Sequence, residues 1–157
     1  MISLSLESRR RALRLAHDLA ACVRPSDLVV LSGELGAGKT FLVRGVCRAL
    51  GLSEQVRVTS PTFSLVHEVN TVPPLLHADL YRLSSAAEVL ELGLLHRRDD
   101  GYVLFVEWGE PWIVELGGDA LVVQLGTRPR TARLTSLGPR SSKMLAQLME
   151  SRKMVGG

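Results

Sequence analysis

Leu28-Val29-Val30-Leu31-Ser32-Gly33-Glu34-Leu35-Gly36-Ala37-Gly38-Lys39-Thr40 is the stretch on which the reading of this 157-residue chain depends. An apolar run enters an octapeptide, Gly33 to Thr40, that fits G-x-x-x-x-G-K-[ST]. Glycine is needed where a backbone turns tightly and brings its N–H groups to phosphate oxygens, because a Cβ would obstruct both. The pattern therefore describes a loop in which Gly33, Glu34, Leu35, Gly36, Ala37 and Gly38 cradle a polyphosphate. Lys39 brings positive charge to the β- and γ-phosphates, and the Thr40 hydroxyl suits an accompanying magnesium ion. Lysine is otherwise scarce: none other precedes Lys143. Beyond the loop, Leu42, Val43, Val46, Cys47 and Leu50 recur at helical spacing, and Gly51 supplies a stop. Strand, loop and helix in that order aim a helix N-terminus at the phosphates.

Around this motif, a hydrophobic content of 46% is enough for one domain spanning residues 1–157 to bury its own core. The 19 basic and 16 acidic side chains leave a formal charge of +3, too small for charge alone to indicate nucleic-acid binding. Arg9, Arg10, Arg11 and Arg14 crowd the first helix, and Arg128, Arg130, Arg133, Arg140 and Lys143 crowd the C-terminal quarter. Each cluster is read first as a solvated face. Cys22 and Cys47 lie far apart in helical patterns, so neither a C-x-x-C redox pair nor a zinc cluster can be built, and buried free thiols are expected. Met1-Ile2-Ser3-Leu4 comes before the arginines, the reverse of a secretory signal, and no apolar run reaches membrane-spanning length. The expectation is a cytoplasmic protein.

Residues 6–24 are predicted to form a helix that turns Leu13, Ala16, Ala20 and Val23 toward the sheet. After the P-loop helix, Pro61 interrupts a hydroxyl-rich segment, the place where nucleotide switches carry a threonine that responds to the γ-phosphate and magnesium. Thr62 is the first candidate, ahead of Thr59 and Ser60; a plain turn with capping hydroxyls is the other reading. Residues 75–82 run from apolar to polar with Asp79 closing a strand, and 102–110 hold a buried strand that ends in another carboxylate, Glu107. Between them a short helix begins at Ser84 or Ser85 and ends near Gly93, followed by a polar stretch, 95–101, with a turn at Asp99-Asp100-Gly101. Two more strands, 120–125 and 131–137, flank a turn at Arg128-Pro129, and Ser141–Met154 forms a weak, fraying helix. The fold class is α/β: a P-loop NTPase-like sheet flanked by helices, with additional C-terminal strands.

P-loop enzymes set a carboxylate at the end of a strand beside the P-loop strand to order magnesium, directly or through water. Glu107, after four apolar residues, takes that role first, with Asp79 as a second acid near the metal or an orienter of water. Which of the two touches the ion stays open, and strand-end acids also serve as ordinary caps. Trp108 and Trp112 either flank the base and ribose or belong to the core. The chain has no N/T-K-x-D guanine-reading motif, which favours ATP over GTP.

Four motifs occur in order: G-[DE]-L-G-A-G-K-T at 33–40, S-P-T-F at 60–63, H-x-D-L-Y-R at 77–82 and E-W-x-E at 107–110. Over residues 28–112 the chain thereby resembles the TsaE family, the P-loop ATPase of bacterial tRNA threonylcarbamoyladenosine synthesis. The resemblance implies ATP and Mg2+ as ligands, with Lys39, Asp79 and Glu107 as the catalytic set and Thr40, Glu107 and Asp79 around the metal. It also assigns the switch threonine to Thr62 and nucleotide contacts to Trp108, Glu110 and, through a looser C-terminal match, Arg133. Phe41 stands where the family usually has a second threonine, and Glu34 replaces the commoner aspartate. Members of that family act beside a TsaD-type transferase and its TsaB partner, which place threonylcarbamoyl on adenosine 37 of tRNA. The implied role is ATP hydrolysis that resets this complex, with tRNA met only through it. Alternatives are a small-molecule P-loop kinase clamping phosphate with Arg128, Arg130 and Arg133, and a nucleotide-gated binding module. Arg82 is the one arginine within these motifs beyond the loop, so hydrolysis is expected to be slow without partners.

Overall fold

The computed structural model describes residues 1–61 and 64–156. In chain order the elements are β1 (Ile2–Ser5), α1 (Arg9–Cys22), β2 (Leu28–Ser32), α2 (Lys39–Ala49), β3 (Val66–Val69), β4 (Leu75–Asp79) and α3 (Ala86–Glu91). There follow α4 (Leu94–Asp99), β5 (Val103–Glu107), a 3₁₀ turn at Glu110–Trp112, β6 (Leu121–Thr127), β7 (Arg130–Ser136) and α5 (Pro139–Gly156). The strands form one seven-stranded sheet in the order β1-β7-β6-β2-β5-β4-β3. Its middle, β6-β2-β5-β4, is parallel, while β7, β1 and β3 are added antiparallel.

The central strands are apolar along their whole length because helices cover both faces. Val29, Leu31, Val103, Phe105 and Val123 meet Leu15 and Leu19 of α1, Leu42 and Val46 of α2, and Leu145 and Leu148 of α5. On the opposite face Val30, Ala78, Leu104 and Val106 pack with Val89 of α3 and Leu94 of α4. The strand-end acids Asp79 and Glu107 face one another across β4 and β5, beside the P-loop that follows β2. Among the described residues no helix is long and apolar enough to cross a membrane.

Several expectations are corrected. Of the predicted stripe on α1, Ala16 and the following Val23 are buried and Ala20 is partly covered, but Leu13 is only half-buried and the helix also buries Leu15, Leu19 and Cys22, because it is wedged between α2 and α5 as well as over the sheet. The polar stretch after Gly93 is the helix α4, whose buried Arg98 donates to the carbonyls of Ser26, Leu116, Gly118 and Asp119. The C-terminal helix is 18 residues long and seats Met144, Leu145 and Leu148 in the core. Two four-residue edge strands, β1 and β3, were not foreseen. Of the two serines proposed to begin α3, Ser85 is the cap, accepting from the Glu88 N–H at 3.2 Å.

Candidate nucleotide site

The P-loop owes its shape to glycine at three left-handed positions, Gly33 (φ 142°), Gly36 (φ 81°) and Gly38 (φ 103°). A Cβ on Gly33 would stand 2.7 Å from the Leu125 carbonyl oxygen of β6, so the loop also needs glycine there for space. Gly38 is the residue before α2 and offers no capping side chain, which leaves the start of the helix directed at the loop's concavity. Thr127 Oγ1 donates to Glu34 Oε1 at 2.8 Å and ties the loop to the end of β6, while Leu35 at its tip is 75% exposed.

Lys39 is buried at its root, and its Nζ donates to the carbonyls of Gly33 (2.5 Å) and Glu34 (3.0 Å). The same ammonium sits 4.4 Å from the centre of the Trp108 ring. Burial lowers the Lys39 pKa, against the opposing fields of Glu107, Asp79 and Glu110. Thr40 Oγ1 donates to Glu107 Oε2 at 3.0 Å, and His77 Nε2 lies 2.5 Å from that oxygen. Asp79 accepts from Ser60 Oγ (2.9 Å) and from the Tyr81 N–H (3.0 Å). Tyr81 in turn packs at 5.0 Å against Trp108, which adopts a left-handed φ of 59°. Glu110, also expected to touch the nucleotide, is exposed and lines neither hollow beside the loop; crowding on its protein side raises its carboxyl pKa against a hydrogen bond from Ser32 and the charge of Lys39.

Lys39, Thr40, Ser60, Asp79, Arg82 and Glu107 line a cleft of about 510 Å³. A second hollow of about 360 Å³ opens on the other side of the loop, walled by Leu6, Ala12, Phe41, Leu125 and Arg130. The structure thus brings Lys39, Thr40, Phe41, Asp79, Glu107 and Trp108 to one place. Trp112 instead packs against the core beneath α3 and α4. Arg133 is exposed between Ser3 and Gln124 on the sheet, on the face opposite the buried Ala132 and Leu134, and lines neither hollow. Thr62, proposed as the switch threonine, lies outside the described residues; its neighbour Ser60 is the hydroxyl that reaches Asp79.

Residues 6–134 match the model of a family described as threonylcarbamoyl adenosine biosynthesis protein TsaE. The chain belongs to the TsaE family. It is 45% identical over 114 residues to the tRNA threonylcarbamoyladenosine biosynthesis protein TsaE of Streptomyces coelicolor, covering 71% of this chain and 76% of that one. It is 34% identical to the Bacillus subtilis protein of the same name over 133 residues, 82% of each chain. The crystal structure of Bacillus subtilis YdiB superposes with a TM-score of 0.78 at 25% identity, over 96% of this chain and 95% of that one. The α/β fold of this TsaE-family chain is therefore shared along nearly its whole length.

Two residues of this family member's candidate site, His77 and Leu6, escape sequence reasoning, and Arg130 enters it only as part of a phosphate clamp. His77 was quoted only as part of a motif, although its spacing of two from Asp79 puts both on one face of β4. Leu6 and Arg130 wall the second hollow from elements remote in sequence, β7 and the segment after β1, and no local pattern announces that.

The oxygen donors suit a hard cation. Thr40 and Glu107 meet across the cleft, and among the described residues the buried Glu107 carboxylate is hydrogen-bonded by that hydroxyl and by the His77 imidazole. Among the described residues no three His, Cys, Asp or Glu side chains gather into a metal cage. Magnesium bound beside a nucleotide needs none, since phosphates and water complete its shell.

Proposed function

We propose that this chain is the ATP-binding and ATP-hydrolysing subunit of tRNA threonylcarbamoyladenosine formation. It works in the cytoplasm beside a TsaD-like transferase and a TsaB-like protein, meets tRNA through them, and resets the complex between turnovers. The observation that carries this reading is the meeting of Lys39, Thr40 and Glu107 in one cleft at the start of α2. The names of the relatives supply the tRNA modification.

In this reading the loop amides and Lys39 hold the β- and γ-phosphates, with Lys39 exchanging the Gly33 and Glu34 carbonyls for phosphate oxygens. Thr40 and Glu107 hold magnesium, which neutralises charge on the phosphates when bound. Asp79, fixed by Ser60 and the Tyr81 amide, orders the water that attacks. The apolar wall of Leu6, Ala12, Phe41 and Leu125 seats the adenine, with Arg130 at its edge.

Calorimetry tests the binding half. Replacing Lys39 by Ala should cost about 2–4 kcal/mol of Mg-ATP affinity, the scale of a truncated buried charge contact. Wild-type affinity in Lys39→Ala would refute the assignment.

A further inference from the structure

Strands β4 and β5 run parallel with Asp79 opposite Glu107 and His77 opposite Phe105. Alternate residues of a strand share a face, so His77 and Asp79 both look toward the α2 side, where Glu107 also projects. Along β4 and on the β5 side the neighbours of His77 are the fully buried, apolar Leu75, Val103 and Phe105, and on the other side its partner on β3 is His67. His77 itself has no exposed surface, and Glu107 is 3% exposed. A polar ring in such surroundings is retained for the hydrogen bond it makes. His77 Nε2 approaches Glu107 Oε2 at 2.5 Å, and among the described residues Nδ1 has no hydrogen-bond partner. An ionised carboxylate only accepts, so the ring donates through Nε2–H and commits its one hydrogen bond to Glu107. Thr40 Oγ1 is also nearer Oε2 (3.0 Å) than Oε1 (3.3 Å). Two donors therefore converge on one oxygen and leave the other the freer.

We propose that His77 is a positioning residue for the metal site: by clamping Oε2 it fixes the Glu107 carboxylate so that Oε1 faces the cleft, ready for the cation that accompanies the nucleotide. This rests on the reading of Glu107 as the magnesium-side acid. The closing hydrogen bond comes from the neighbouring strand, so the sheet register itself sets the carboxylate's direction. A ligand held this way has little rotamer freedom left to lose when the cation arrives.

The test measures ATP affinity with Mg2+ and with EDTA for the full chain and three variants, with melting temperature alongside. The wild type should bind ATP at least about tenfold more tightly with Mg2+, and His77→Leu should lose about tenfold of that enhancement, on the scale of removing a group that orients a metal ligand. Its affinity in EDTA should stay within about twofold, because the phosphate loop is untouched. His77→Gln can bring an amide donor to where Nε2 sits and should restore the Mg2+ enhancement; the shorter amide of His77→Asn ends near Nδ1 and should not. If the Leu variant fails to fold, the Gln and Asn pair decides. Full Mg2+ enhancement in His77→Leu, equal behaviour of Gln and Asn, or parallel loss of affinity with and without Mg2+ would overturn the proposal in favour of a purely structural histidine. A wild type without Mg2+ enhancement would refute instead the assignment of Glu107, and this inference would fall with it.

Discussion

Both oxygens of Asp79 are held by the protein, one by Ser60 Oγ and one by the Tyr81 amide, whereas Glu107 is gripped mainly at Oε2 and meets the P-loop threonine directly. Glu107→Gln should therefore lose more of the magnesium dependence of nucleotide binding than Asp79→Asn, which should act chiefly on turnover. A magnesium titration giving the opposite order would show that the roles of the two strand ends are exchanged. Lys39, Thr40 and the two acids were legible in the sequence because each belongs to a contiguous pattern, a glycine loop or an apolar run closed by a charge. His77 was not, since its meaning depends on which strand lies beside β4. Arg133 shows the same limit in reverse. Alternation along β7 buries Ala132 and Leu134 and sends Arg133 to the other face, while Arg130 at the strand's start reaches the hollow beside the loop.

The helices show how elements are held by contacts that sequence patterns underestimate. Helix α5 has no acid in its first turn; the cap comes from Asp119, which accepts from the N–H groups of Arg140 (2.8 Å) and Ser141 (3.0 Å) and from Ser141 Oγ (2.7 Å). Burial alone would raise the Asp119 pKa, but these hydrogen bonds outweigh it and the net shift is downward. A carboxyl depressed in the folded state contributes stability above its unfolded value, near 4, and loses it as pH falls through the folded value. Asp119→Asn should thus cost about 1 kcal/mol at neutral pH, the scale of a lost cap, and the difference from wild type should shrink in acid. Denaturant melts at pH 7 and pH 3 check both statements. Where α1 crosses α2, a Cβ on Gly45 would come within 2.7 Å of the Ala16 Cβ. Gly45→Ala should destabilise by about 1–3 kcal/mol through overpacking, although alanine favours an open helix by about 1 kcal/mol. Adding Ala16→Gly should recover part of the loss in thermal melts; a stabilised single variant would show that the helices have room to separate. Helix existence was readable from periodicity in α1 and α2. The covered face of α1 is legible only in part, in Ala16 and Val23, because helices lie against two of its sides, and α4 reads as polar because its buried Arg98 is satisfied by carbonyls from distant loops.

At the scale of the molecule, the cleft contains loop, lysine, hydroxyl, two acids and Arg82. Partners should nevertheless accelerate ATP hydrolysis, on the order of a thousandfold if one of them inserts an arginine toward the γ-phosphate. Phosphate release would be measured for the purified chain with and without TsaD-like and TsaB-like proteins, with Lys39→Ala as blank. Equal turnover would mean that Arg82 already completes the cleft. The α/β class was legible from the P-loop and two apolar strands, but the strand order was not, since pairing between segments far apart in the chain leaves little trace in local pattern. The extreme case is β1, whose one neighbour is β7, with Ile2 opposite Leu134 and Ser5 opposite Thr131. During synthesis β1 must then wait for β7 before it finds its place in the sheet. Until residues 130–136 have left the ribosome, β1 has no strand to pair with, and the nascent chain carries its P-loop half with one border of the sheet still open.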